Sequence, residues 1–124
     1  MFYVTMKAEI IRAKSITEYL TPERCYISEN LSSEKVSIAR ARVKPDVTTV
    51  AHRLKGTDEI YIITEGRGRV YVGNLDPAEV TVGDVVAIPA GTSQRITNVG
   101  KKDLVFYCIC TPRFNAEFYV DEEK

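Results

Sequence analysis

The chain has 124 residues, 17 of them Lys or Arg and 17 Asp or Glu, which gives a formal net charge of zero at neutral pH. That length suits one domain with a single modest core, and the charge balance lacks the one-signed field that draws a chain to nucleic acid or an acidic membrane. No stretch approaches the ~20 apolar residues of a membrane helix and no basic run precedes an apolar one in MFYVTMKAEIIRAKS, so we expect a soluble, cytoplasmic protein with neither of those partners.

In chain order, AEIIRA reads as a strand and SITEYLTPE as a short helix, capped by Ser15 or Thr17 and ending near Pro22. RCYIS and KVSIARARV are the next strands. The second sets Arg40 and Arg42 on one strand face, as a candidate clamp for a ligand's carboxylate or phosphate or as a solvated surface pair. TVAH, EIYIIT, GRVYVG, AEVTV, DVVAIP, QRITN, LVFYCIC and EFYV follow. They are separated by the Gly-, Pro-, Asp- and Asn-rich turns KPDV, KGTD, EGRG, GNLDP, VGD, PAGTS and NVGKKD. Short β-branched and aromatic runs at such intervals predict an all-β sandwich or barrel.

Three of these elements carry more information. In EIYIIT, Glu59, Tyr61 and Ile63 share one face and Ile60 and Ile62 the other. Both faces are largely apolar, which predicts cover on both sides, by a second sheet or by another subunit, and makes a homodimer an expectation. No helix follows the Gly-x-Gly of EGRGRV, so no phosphate-cradling loop is expected there. The aromatic tail bearing Phe114, Phe118 and Tyr119 is too apolar to hang free. It is expected to fold over a barrel mouth or onto a partner.

Cys25, Cys108 and Cys110 form an odd, small set, unlike a disulfide framework. Cys108 and Cys110, two apart on one strand face, have poor geometry for a bridge. Reduced thiols acting as small apolar filler are expected.

Two spacings stand out. The first is Asp46, five residues, His52, one residue, Leu54, four residues, Glu59, six residues, Gly66; the second is Gly83, five residues, Pro89, one residue, Gly91, two residues, Gln94, three residues, Asn98. Together they resemble the two signature motifs of the cupin superfamily, and Gly66, Gly83, Pro89, Gly91 and Asn98 match in place. The resemblance covers about residues 36–110 and implies a jelly-roll β-barrel, the double-stranded β-helix of a small single-domain cupin. The domain is taken as residues 1–124, with the N-terminal strands and C-terminal tail packing on the barrel or on a partner.

The resemblance also implies a site. Cupins usually hold a divalent ion, such as zinc, manganese, iron or nickel, on three histidines and a glutamate. Here His52 and Glu59 occupy two of those positions, while Leu54 and Gln94 replace the other histidines. Leucine cannot coordinate and an amide oxygen is a weak donor, which leaves His52, Glu59 and Gln94 as a degenerate metal set. His52 and Glu59 can instead form a metal-free acid–base dyad with Tyr61 as acid partner. A third reading makes His52 a hydrogen-bonded barrel residue. All three place one polar pocket, lined by His52, Glu59, Tyr61 and Gln94, at the barrel mouth. Two functional classes remain open at this point. One is an enzyme of metal-assisted or isomerase and epimerase type acting on a carbohydrate-like or carboxylate substrate; the other is a small-ligand binding or sensor module that has lost its metal.

Overall fold

The computed structural model describes residues 5–124; the first four residues of the opening segment lie outside them. Its strands are β1 (Tyr19–Leu20), β2 (Tyr26–Ser33), β3 (Val36–Val43), β4 (His52–Leu54), β5 (Asp58–Glu65), β6 (Arg67–Val72), β7 (Ala78–Thr81), β8 (Val85–Ile88), β9 (Gln94–Asn98), β10 (Leu104–Thr111) and β11 (Tyr119–Asp121). They form a six-stranded sheet, β1-β2-β3-β10-β5-β8, and a five-stranded sheet, β11-β4-β9-β6-β7. Every pairing is antiparallel. The inward faces of both sheets meet in one core that includes Val43, Ile63 and Phe106 from the first sheet and Val70, Val72 and Ile96 from the second. This is the all-β architecture that the turn spacing predicts, in the jelly-roll form that the cupin resemblance implies.

The N-terminal reading is corrected. AEIIRA forms no strand: Ile10 is 76% exposed, and no neighbouring strand pairs with it among the described residues. SITEYLTPE forms no helix either. A 3-10 turn at Ala13–Ser15 is followed by β1, in which Tyr19 and Leu20 pair with Ile27 and Tyr26. The turn has no side-chain cap bond, and Glu18 is drawn to Arg42, with a shortest contact of 2.6 Å. Sheet pairing and that ion pair outweigh the weak local preference for helix. TVAH contributes only its histidine to β4.

The motif residues act structurally as expected. Gly66, between β5 and β6, has φ +81°, and a Cβ there would lie 2.6 Å from the Asp103 carbonyl oxygen, so both conformation and space demand glycine. Asp46, where the first motif of the family opens with glycine, adopts a left-handed φ of 68°, a conformation that a short polar side chain tolerates. Asn98 is fully buried and fully bonded. Its amide donates to the Val43 and Lys102 carbonyls, and its oxygen accepts from the Gly100 amide.

The inner face of β5 is covered as its composition predicts, and the outer face is covered only by its strand neighbours. Glu59, Tyr61 and Ile63 are buried in the barrel, while Ile60 and Ile62 are half-buried on the outer face. There they stand beside Ile109 and Tyr107 of β10 and Ala87 and Val85 of β8.

Candidate functional site

The polar side chains converge because of register. His52 on β4 pairs with Gln94 on β9, and Glu59 on β5 lies opposite Cys110 on β10. The structure therefore brings His52, Glu59, Tyr61 and Gln94 into one barrel end, but none is more than 8% exposed. The open mouth pocket expected from sequence is thus a closed, buried site. The lid is the C-terminal tail. Strand β11 pairs along β4, and the Tyr119 ring stacks on the imidazole with centroids 4.9 Å apart. Phe118 sits directly on Gly56, where a Cβ would fall 2.7 Å from its ring. Phe114 remains 41% exposed.

His52 is oriented by the backbone. Its Nδ1 is 2.7 Å from the Val50 carbonyl oxygen, which can only accept, so Nδ1 carries a proton. In the neutral ring Nε2 then holds the free lone pair. Glu23, just before β2, places Oε2 3.4 Å from the same Nδ1. The carboxylate at the orienting nitrogen is Glu23, a residue outside the His52–Glu59 dyad expected from sequence.

Glu59 has a different environment. Its Oε2 accepts from the Cys110 thiol at 3.7 Å, and its Oε1 has no hydrogen-bond partner among the described residues. Burial pushes its pKa above the ordinary carboxylate value, against the opposing pull of Gln94 and of the His52 charge. Glu23 is raised for the same reason, with His52 again opposing. The direction of both shifts favours the neutral carboxyl.

Tyr61 is engaged by Gln94. Its hydroxyl donates to Gln94 Oε1, and burial raises its pKa well above the usual value, so the proton of the expected acid partner is held on the amide in this structure. Burial likewise pushes the Cys25 and Cys110 thiols up to about 12, which keeps both protonated and weakly nucleophilic. All three cysteines are free.

A divalent ion does not fit this donor set. Leu54 fills the second histidine position, buried at 3% exposure, and the Gln94 oxygen is taken by Tyr61. His52 Nε2 and the Glu59 carboxylate remain, two short of a closed zinc site and lacking the second histidine of a facial triad. Among the described residues no group of three or more His, Cys, Asp or Glu is arranged to hold a metal.

Arg40 and Arg42 are not brought to this site. They lie on the outer face of the six-stranded sheet. Arg42 is bound by Glu18 and Asp103 and stacks on Tyr26, and Arg40 pairs with Glu18 and Glu65. Their guanidinium groups are neutralised within the chain and cannot clamp a ligand held by His52. Conversely, sequence reasoning missed Glu23 and the proximity of Cys110 to Glu59. Strand parity puts Cys110 on the inward face, whereas nothing in the local sequence links residue 23 to residue 52.

The family model for the cupin domain matches residues 39–110, more than half of the chain. The chain is a cupin. The uncharacterised protein MJ1618 of Methanocaldococcus jannaschii is 33% identical to this cupin over 119 residues, covering 92% of this chain and 94% of its own. A predicted oxalate decarboxylase of Thermotoga maritima superposes with a TM-score of 0.77 at 26% identity, covering 84% of this cupin and 99% of its own chain. Pac13, a nucleoside dehydratase, superposes with a TM-score of 0.78 over 93% of this cupin and 91% of its own chain, and structures of the protein are from Streptomyces. At 11% identity that likeness concerns the fold alone. No helix among the described residues is long and apolar enough to cross a membrane.

Proposed function

We propose that this cupin is a metal-independent proton-transfer enzyme acting on a small polar carbohydrate-like or carboxylate substrate, of isomerase, epimerase or dehydratase type. The observation that carries the reading is the locked imidazole: a carbonyl and a carboxylate hold Nδ1, so Nε2 is the base. His52 Nε2 removes a proton from a carbon next to a carbonyl or carboxyl group. Glu59, whose pKa burial raises, delivers a proton to the opposite face or to a departing hydroxyl. The substrate reaches the pair when β11 lifts from β4, and the returning strand excludes water from the reaction. Pac13 lends the dehydratase option its precedent on this fold. The reading includes a cytoplasmic setting, where the three thiols stay reduced, and a homodimer formed through the outer apolar face of β5, β8 and β10.

A second reading, ligand holding without turnover, is favoured by the closure of the barrel over His52. One experiment separates the two. The protein is incubated in deuterated water with panels of aldoses, ketoses and hydroxy acids, and deuterium at carbon is followed by proton NMR. Incorporation that His52→Asn and Glu59→Gln each reduce by about 100-fold or more supports the enzyme. Saturable binding of a panel member with no incorporation above the solvent background leaves the holding role.

A further inference from the structure

We propose that the outer face of the five-stranded sheet carries a second binding site, separate from the barrel interior, for a small organic anion with a flat apolar body. An open cavity of about 330 Å³ lies there, lined by Ala51, Tyr71, Leu75, Pro77, Ser93 and Arg95. That volume is at the lower end of the ~300–1,000 Å³ range of small-molecule pockets.

The cation is singled out by its surroundings. Arg24, Arg40, Arg42, Arg53 and Arg67 each form an ion pair within the chain. Arg12, Arg69, Arg95 and Arg113 form none among the described residues, and of these four Arg95 lines the cavity. It is nonetheless held in place. Tyr71 on β6 stands directly opposite Arg95 on β9, and the guanidinium carbon rests 4.3 Å above the ring centroid. A guanidinium stacked on an aromatic face keeps its in-plane N–H groups available, and their fork matches a carboxylate or phosphate. The ordering entropy of the side chain is already partly met by the stack, which favours binding.

The remaining wall selects the body of the ligand. Leu75, 72% exposed, and Pro77 project from the β6–β7 loop and offer apolar surface beside the cationic end. The nearest acidic side chains are already engaged. Glu122 accepts from Ser93 and Arg53, and Glu123 holds Arg24 and the Ala51 amide. Arg95 is therefore the cation of the cavity wall that no carboxylate contacts directly among the described residues. The location also has a consequence for the barrel. Ala51 and Ser93 are the residues to which Glu122 and Glu123 fasten the end of the chain just beyond β11, so a ligand here touches the anchorage of the strand that covers His52.

The test uses the full chain, labelled with nitrogen-15, and three probes: benzoate, which has both features, acetate, which has only the charge, and benzyl alcohol, which has only the ring. Benzoate is expected to give saturable shifts at Tyr71, Gly73, Leu75 and the Arg95 side chain, with none at Glu59 or Tyr61. Acetate and benzyl alcohol should each bind about tenfold or more weakly. Arg95→Gln should weaken benzoate about tenfold or more, and Arg95→Lys, which keeps the charge but loses the fork, should fall between. Because Arg95 is exposed, these variants keep the fold, and unchanged shifts elsewhere verify it. Equal benzoate affinity in Arg95→Gln, shifts centred on Glu59 and Tyr61, or no saturation at millimolar benzoate would each overturn the proposal.

Discussion

Glu23 Oε2 stands 3.4 Å from Nδ1 of His52, so the carboxylate that faces the orienting edge of the only imidazole comes from the loop ahead of β2. With one histidine in the chain, the nitrogen-15 spectrum of a single ring reports the contact without ambiguity. Glu23→Gln is expected to move the Nδ1 resonance of His52 more than Glu59→Gln does, because only Glu23 faces that nitrogen. A larger Nδ1 shift from the second variant would reverse the assignment.

The contribution of Glu59 to stability should fall as pH rises through the acid range, opposite in sign to those of Glu18, Glu122 and Glu123, whose pKa values are lowered. The unfolded chain releases the Glu59 proton near the ordinary carboxylate value of 4.5, whereas the folded chain retains it to higher pH. Above 4.5 the native state then binds more protons than the unfolded state, and each unit of pH up to the native pKa costs up to about 1.4 kcal/mol. Glu23 contributes with the same sign. Glu59→Gln should match the wild type at low pH, exceed it at neutral pH and flatten the decline. Urea unfolding followed across pH measures this directly, and a wild type whose stability rises from pH 5 to 7 more steeply than the variant's would refute it.

Leu54 and Gln94 flank His52, one on the same strand and one in the paired register position, and both are buried. The combined change Leu54→His and Gln94→His is therefore expected to create a four-donor site with His52 and Glu59. Affinity for nickel or manganese should rise by orders of magnitude over the wild type, measured by calorimetry. A double variant that folds yet binds no better would show that these positions do not aim at one point.

The outer face of the six-stranded sheet sets Ile60 and Ile62 beside Tyr107 and Ile109, with Val85 61% exposed at its edge. Apolar surface of this kind marks an association site. Sedimentation at micromolar concentration is expected to give a dimer, and Ile62→Arg a monomer with an unchanged circular dichroism spectrum. A wild type that stays monomeric at high concentration would leave this face solvated.

Gly56 tests the lid. A Cβ at this position would meet the Phe118 ring, and the Phe118 carbonyl accepts from the Lys55 amide at 2.9 Å. Gly56→Val should displace Phe118, loosen β11 and speed hydrogen exchange of the Lys55 amide by at least about tenfold, while amides of β5 and β10 keep their protection. Unchanged exchange at Lys55 would mean that the tail adapts without moving.

The local sequence was sufficient for whatever depends on chain turns and strand alternation. Gly66 must reverse the chain where a side chain has neither room nor conformation, Pro89 ends β8, and the inward parity of Glu59, Tyr61 and Ile63 follows from a period of two; these determined the barrel and the family. The segments between Ala8 and Glu23 depart from expectation for the converse reason. AEIIRA has strand propensity but pairs with no strand among the described residues, and SITEYLTPE has a weak helical preference that pairing of Tyr19 and Leu20 with β2 overrides. Only tertiary structure decided the site. It placed Glu23 rather than Glu59 at Nδ1 of His52, turned Arg40 and Arg42 outward to Glu18, Glu65 and Asp103, and closed Tyr119 over the imidazole. Each of these contacts joins residues far apart in the chain, and no local period or turn rule carries information across such separations; the pairing of β4 with β11 and β9 does.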